Sequence, residues 1–448
     1  MTLAPARPAA TTWPGLDEVP SGPRATFAAA VARRLFLAAV NRLDVTVLLV
    51  TDERGRTRSF GRGGPVMTVH RPDELFARLG RDQLIGFCEA YLTGAFEAED
   101  LAGFLTVLAA ELPTLIPATL QRLRAAVVHR PPHAQRNTED NTRTNIAHHY
   151  DLSNDLFELF LDPTLSYSAA LFGDRTVDHG DHVVAVAPSD CAGGHTGDLA
   201  GAQARKIDRL LDEAHVGEGS RVLEIGTGWG ELAIRAARRG ARVHSVTLSS
   251  EQQTLARERI AAAGLADRCE VELCDYRAVS TGDRAGERYD AVVSVEMVEA
   301  VGHEYWPTYF ATVDRVLAPG GRAVVQAITM PHDRMLATRN TYTWINKYIF
   351  PGGFLPSVEV VDEVTREHTS LRLTGRLSFG RHYAETLRQW DERFLAASRA
   401  VLALGFDERF LRMWHFYLEY SRAGFASGYL DVNQLVLTRP GEHPETAR

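Results

Sequence analysis

The chain has 448 residues, of which 45% are hydrophobic and 24% charged. That length points to two or three domains, and the composition is globular rather than disordered or fibrous. A formal net charge of −8 and a sequence pI near 6.1 exclude a nucleic-acid partner held by bulk charge. The four cysteines, Cys88, Cys191, Cys269 and Cys274, follow neither metal-ligand nor disulfide spacing, so free thiols and no metal are expected. No apolar run is long enough to span a bilayer.

Residues 1–24 are rich in Ala, Pro and Thr without a signal-peptide core, and a flexible leader is expected there. An accessory α+β domain is expected over 25–128. Its helices are predicted at Ala25–Ala39, Asp73–Leu79, Asp82–Leu92 and Asp100–Leu112. Its strands are predicted at Val45–Thr51 and Val66–His70, with a polar turn at Asp52–Gly55. The stretch Gln121–Thr144 is rich in Arg, Pro, Asn and Thr, and a linker is placed at 129–144. Its arginines read as a solvated surface, with anionic lipid headgroups as the alternative partner.

The second domain is expected over 145–448. It opens with helical turns, and then Gly173–Gly201, rich in Gly, Asp and His, reads as a long surface loop. The loop's His179, His182 and His195 lack the tight spacing of metal ligands. Strands are predicted at Arg221–Ile225, Arg242–Thr247, Glu270–Cys274, Tyr289–Val295 and Arg322–Ile328, with helical patterns between them. Such alternation specifies a doubly wound parallel sheet, which Ser370–Leu377 and Gln434–Thr438 could complete. The aromatic-rich stretch 331–366 interrupts the alternation and reads as a cap over a substrate.

The most specific local pattern is Arg221-Val-Leu-Glu-Ile-Gly-Thr-Gly-Trp-Gly230, a strand that runs into a glycine turn and a helix start. Glycine there lets a ligand approach the backbone. Two details argue against a nicotinamide cofactor. The third glycine arrives one position early for G-x-G-x-x-G, and the next strand ends in Thr247-Leu-Ser-Ser-Glu-Gln252 without an acid at the ribose position. A third strand ends in Asp275-Tyr276, a carboxylate and a ring suited to an adenine edge and face. The trio points to S-adenosylmethionine; the competing reading is a glycine turn with no ligand.

From Asn145 onward the chain resembles the cyclopropane-fatty-acid synthase family of methyltransferases. The resemblance rests on His149-Tyr-Asp-Leu-Ser-Asn-Asp155, Leu165-Ser-Tyr-Ser168, Ala202-Gln203 with Lys206, the glycine turn, Glu296-Met-Val-Glu-Ala-Val-Gly302 and Trp344–Ser357, with further pieces at His382-Tyr383 and Tyr420–Gly424. It implies a Rossmann-like class I methyltransferase fold, with a seven-stranded sheet and a helical cap, beside the smaller α+β domain. It also implies cofactor contacts. Tyr150, Tyr167, Ser168 and Gln203 would surround the methionine end, Gly226 and Gly228 the backbone side, Thr247, Leu248 and Gln252 the ribose, and Asp275 and Tyr276 the adenine.

The family's substrate is a double bond within a fatty acyl chain, usually on a phospholipid. Methyl transfer leaves a carbocation, and a base must then remove a proton. Direct loss from the new methyl closes a cyclopropane. A hydride shift first gives a methylene, which a flavin-dependent reductase can turn into a methyl branch. In cyclopropane enzymes a bicarbonate held by a Cys, a Glu, a His, an Ile and a Tyr is thought to act as the base. Here Glu299, Ile328 and Tyr383 match, but Ala169 stands at the Cys position and Gln326 at the His position, so two side chains of a bicarbonate pocket are changed. Glu296 adds an acid where bacterial cyclopropane synthases usually have Gly. In a helical turn Glu296 and Glu299 could face one side, and like charges would raise one pKa; alternatively Glu296 merely hydrogen-bonds the backbone.

These departures resemble the actinobacterial branch that makes 10-methylene and 10-methyl fatty acids. The expected function is therefore methylene formation on an oleoyl-type phospholipid. Cyclopropanation, a small-molecule C-methyltransferase and an inactive lipid-binding homologue are the alternatives. The resemblance further implies a cytoplasmic protein peripheral to the inner face of a bacterial membrane, whose phospholipid bilayer is its substrate, and often a homodimer.

Overall fold

The computed structural model describes residues 13, 15–51, 55–115, 132, 153–173, 175–186, 198–281 and 284–439, without the side chains of 112–115. The expected linker at 129–144, apart from Pro132, lies outside the described residues, as do Tyr150, Cys191 and His195. The chain forms two compact units that are interleaved in sequence. One comprises Met1–Arg130, Thr341–Ile349 and Leu387–Tyr429; the other comprises Pro131–Asn340, Phe350–Thr386 and Leu430–Arg448. Part of the aromatic stretch 331–366, including Trp344, therefore clusters with the N-terminal unit.

In the first unit, β1 (Thr46–Val50) pairs antiparallel with β2 (Thr57–Gly61) and parallel with β3 (Val66–Val69), and β4 (Phe96–Ala98) closes the order β2-β1-β3-β4. Alternation buries Val47 and Leu49 on β1 and Met67 and Val69 on β3. The sequence reading missed β2 because its residues are mostly exposed and carry no apolar alternation, and β4 because it has only three residues. The two helices predicted over 73–92 are present in the run Pro72–Leu92, divided by a kink at Gln83 (φ 54°, ψ −126°). That run buries a polar knot. Glu89, 2% exposed, accepts from Lys347 Nζ at 2.5 Å and Tyr348 Oη at 2.8 Å, and lies 3.7 Å from the buried Arg78 guanidinium.

The second unit is built on a nine-stranded sheet of order β5-β6-β12-β13-β11-β10-β7-β8-β9. β7 (Arg221–Ile225), β8 (Arg242–Thr247), β9 (Cys269–Leu273), β10 (Tyr289–Val295) and β11 (Leu317–Thr329) run parallel. β13 (Asp431–Thr438) enters antiparallel between β11 and β12 (Arg372–Ser378). These seven are the expected set. The other two correct the expectation of a long loop at 173–201: β5 (Thr176–Asp178) and β6 (Val183–Ala185) form a hairpin that extends the sheet beside β12. The hairpin escaped the sequence reading because β5 is fully exposed and each strand has three residues. Apolar clusters cover both faces of the sheet, one around Tyr309, Phe310 and Trp306, the other around Leu210, Ile234 and Ile260. From β7 the chain winds one way to β8 and β9, and β10 starts the other half; the switch point lies between β7 and β10.

No helix among the described residues is long and apolar enough to cross a membrane. The polar knot yields a stability prediction. Glu89→Ala leaves Arg78 and Lys347 facing an emptied site and should cost about 3 kcal/mol, as breaking a buried ion pair does. Chemical denaturation would show it; a loss below about 1 kcal/mol would mean that water replaces the carboxylate.

Candidate functional site

β7 hands the chain to the glycine turn at the switch point, where α/β sheets place their ligands. Gly226 has φ 97° and Gly228 φ 51°, a region that favours glycine. A Cβ at 226 would lie 2.5 Å from Met297 Cγ, whereas one at 228 would meet nothing within 4 Å. The turn is thus packed on one side and open on the other. The open side belongs to a cleft that is partly open to solvent. Below it, Glu224 is 3% exposed and accepts from Ser245 Oγ at 2.6 Å, and burial pushes its carboxyl up to about 8.

Of the cofactor residues expected from sequence, Tyr167, Ser168, Gly226, Gly228, Thr247, Leu248, Gln252 and Tyr276 line this cleft. Thr247 Oγ1 donates to Gln252 Oε1 at 3.0 Å and fixes that wall. Gln203 stands behind the lining. Its Nε2 donates to the Ser166 and Ser168 carbonyls at 3.2 and 2.8 Å, so it shapes the loop that carries Tyr167. Asp275 also stands outside the lining, its carboxylate accepting the backbone N–H and guanidinium of Arg277. Lys206 belongs to the same motif as Ala202-Gln203. It is 1% exposed, lines the cleft and donates to Ser168 Oγ at 2.6 Å. Burial pulls its ammonium down to about 8 against the pull of Glu296 and Asp162. The sequence sign was available: Gln203 and Lys206 interrupt the apolar stripe of the helix Leu199–Glu213 at i, i+3.

The predicted catalytic residues converge beside the cleft. β10 ends at Val295, and Glu296 follows with φ 52°, a conformation glycine adopts freely and glutamate rarely. This gives a physical sense to the Gly expected there in cyclopropane synthases. Glu296 and Glu299 sit in a turn rather than on a helix, which replaces the helical spacing proposed from sequence. The Glu296 carboxylate gathers three donors. Ala169 N–H and Gln326 Nε2 each reach Oε1 at 2.9 Å, and Tyr383 Oη reaches Oε2 at 3.1 Å. Gln326 is itself oriented by Gln434, whose Nε2 donates to its Oε1 at 3.1 Å. Glu299 has less support. Its Oε1 accepts from Ile328 N–H at 2.5 Å, while its buried Oε2 has no hydrogen-bond partner among the described residues. Burial, reinforced by the Glu296 charge, pushes Glu299 up to about 8. Burial raises Glu296 too, but its three donors and Lys206 oppose the shift, so the negative charge of the pair favours Glu296.

Two predictions test this geometry. Gly226→Ala forces Met297 to move and should lower stability by about 2 kcal/mol. Gly228→Ala should leave stability within about 1 kcal/mol but weaken S-adenosylmethionine at least tenfold by titration calorimetry, because its Cβ enters open cleft. Equal affinity in Gly228→Ala and wild type would remove the turn from the ligand site. The second concerns pH. Glu299 is raised in the folded state, so its stabilising contribution is complete below the ordinary carboxylate value of 4.5 and is lost as pH climbs to about 8. Between those limits Glu299→Gln should lose less stability than wild type in denaturant titrations; parallel pH profiles would refute the raised carboxyl.

Comparison with known proteins gives concordant matches. A family model described as mycolic acid cyclopropane synthetase matches residues 137–435. The tuberculostearic acid methyltransferase UfaA1 of Mycobacterium tuberculosis (strain ATCC 25618 / H37Rv) is 50% identical over 429 residues, which is 96% of this chain and 96% of that protein. The cyclopropane-fatty-acyl-phospholipid synthase of Escherichia coli (strain K12) is 33% identical over 382 residues, 84% of this chain and 88% of that protein. Among solved structures, mycolic acid cyclopropane synthase CmaA1 complexed with SAH and CTAB superposes with a TM-score of 0.55 at 29% identity, covering 69% of this chain and 99% of that one. The cyclopropane synthase MmaA2 of Mycobacterium tuberculosis gives 0.54 at 29%, with the same coverage.

Proposed function

The chain belongs to the mycolic acid cyclopropane synthetase family, and we propose that it methylates the double bond of an unsaturated fatty acyl phospholipid with S-adenosylmethionine, giving a 10-methylene fatty acid. The observation that carries the choice of product is the grip of Ala169, Gln326 and Tyr383 on the Glu296 carboxylate. Tyr383 matches a residue, and Ala169 and Gln326 stand at positions, that the family resemblance assigns to a bicarbonate pocket, and here a side chain of the protein takes up their donors.

The cleft suits the cofactor: the glycine cradle is open at Gly228, Thr247 and Gln252 form a polar wall, and Tyr276 offers a ring face. When bound, S-adenosylmethionine supplies an electrophilic methyl on a cationic sulfur. The alkene would give its π pair to the new carbon–carbon bond as the methyl–sulfur bond breaks and its pair stays on sulfur, which leaves as a neutral thioether, and a cation would remain on the neighbouring carbon. A hydride shift moves that cation to the methyl-bearing carbon. Loss of a methyl proton then places the C–H pair in the carbon–carbon double bond of the methylene branch. Glu296, poised as the anion by three donors, takes that proton. Glu299 lies close enough to couple with it and adds negative potential toward the cation. The buried surroundings keep water from capturing the cation.

The proposal extends to the protein's setting. A methylene product calls for a flavin-dependent reductase to complete a methyl branch. The lipid substrate calls for a peripheral protein at the inner face of the membrane, and a homodimer is part of the same reading. Lipids from a host that expresses the chain alone should contain the methylene, identified by proton NMR because a ring is its isomer. Glu296→Gly should free the three donors, make turnover dependent on added bicarbonate, and shift the product toward cyclopropane. Methylene as the main product of that variant would remove Glu296 from the proton step.

A further inference from the structure

The helix Pro23–Val40 of the first unit is apolar on both sides. Its inner side packs through small residues: a Cβ at Gly80 would sit 2.7 Å from the Ala28 backbone. Phe36 adds ring contacts to Phe76 and Phe87 at 6.0 and 6.2 Å. Its outer side carries Phe27, Val31 and Leu35, which are 72%, 42% and 54% exposed. The spacing i, i+4, i+8 puts the three on one stripe. A helix apolar all round is normally covered on every side, and a contiguous exposed stripe marks a docking surface.

Charge identifies what covers it. The helix contains Arg24, Arg33 and Arg34 and no acidic residue, in a chain whose formal charge is −8. Arg24 and Arg34 are exposed with the stripe, while Arg33 lies over the Phe76 ring at 5.6 Å. A second copy docked stripe to stripe would bring like charges together. An anionic bilayer offers the opposite: negative headgroups for the guanidinium groups and acyl chains for Phe27, Val31 and Leu35.

We propose that the outer face of Pro23–Val40 is the surface by which this protein lies on an anionic phospholipid membrane, with Phe27, Val31 and Leu35 inserted at the headgroup boundary and Arg24 and Arg34 at the phosphates. The proposal deepens the lipid-methylating reading and rests on it for its purpose, though the surface can be tested separately. Full-length protein is sedimented with vesicles of phosphatidylcholine containing phosphatidylglycerol, and with vesicles of phosphatidylcholine alone. The triple variant Phe27→Ser, Val31→Ser, Leu35→Ser should partition onto the anionic vesicles at least about tenfold less than wild type. The double variant Arg24→Gln, Arg34→Gln should lose about tenfold at low salt and approach wild type at high salt, because only the charge contribution is removed. Both should bind S-adenosylmethionine and methylate detergent-dispersed phospholipid as wild type does, which separates docking from folding and from chemistry. A triple variant that partitions like wild type overturns the proposal, and so does one that changes from dimer to monomer with unchanged partition, since the face would then join two copies. Wild type that binds anionic vesicles through this face yet methylates no lipid would support the surface and overturn the reaction.

Discussion

A carboxylate gripped by a backbone N–H, an amide and a phenol, with a second carboxylate in Coulombic reach, is the constraint around which the rest of this site is arranged. It demands an unusual backbone. Glu296 adopts φ 52°, at a cost of order 1 kcal/mol for a residue with a Cβ. The cost is met locally: Glu296 N–H donates to the Gln326 carbonyl at 2.8 Å, and the Gln326 side chain returns to the carboxylate at 2.9 Å. Strand β11 thus holds both ends of the strained residue. Gln434 on β13 holds Gln326 in turn, so the antiparallel strand beside β11 also orients a donor to the Glu296 carboxylate.

Most of the sheet could be read from sequence because its strands are short apolar runs bounded by turns, and three predicted boundaries coincide with the observed ones, at Arg221–Ile225, Arg242–Thr247 and Tyr289–Val295. What could not be read had no apolar periodicity. The strands β2 and β5 are held by backbone pairing, and their mostly exposed side chains carry no pattern, while β6 has only three residues. The interleaving of the two units was equally hidden, since Trp344 and the segment 387–429 join the N-terminal unit through contacts far apart in sequence.

At the site, residue type was legible and direction was not. The glycine turn stood out by chemistry, and the pair Glu296 and Glu299 through the family resemblance. That Gln203 props a loop, or that Asp275 turns to Arg277 two residues on, depends on local geometry that spacing does not encode. Lys206 shows the reverse case. Its place in an apolar helical stripe is a sign of burial that the sequence carries, while its partner, Ser168, depends on the fold.

The charges of the site follow from one physical requirement. On the proposed chemistry the pocket receives a sulfonium and then passes through a carbocation, so it must offer negative potential without filling with water. Two permanently ionised carboxylates in a buried pocket would repel each other and draw in solvent. A pair in which burial and the Glu296 charge push Glu299 up to about 8 avoids that. The arrival of a cation lowers both carboxyl pKa values, so the pair gains negative charge when the positive charge is present. Lys206, held near 8 by burial, acts in the opposite sense and limits how much positive charge the protein itself adds beside the cleft. On the same proposal Glu296 takes the place of a diffusible anion: a carboxylate tethered by its own backbone stays in place, and its donors keep it aligned for the proton that would follow.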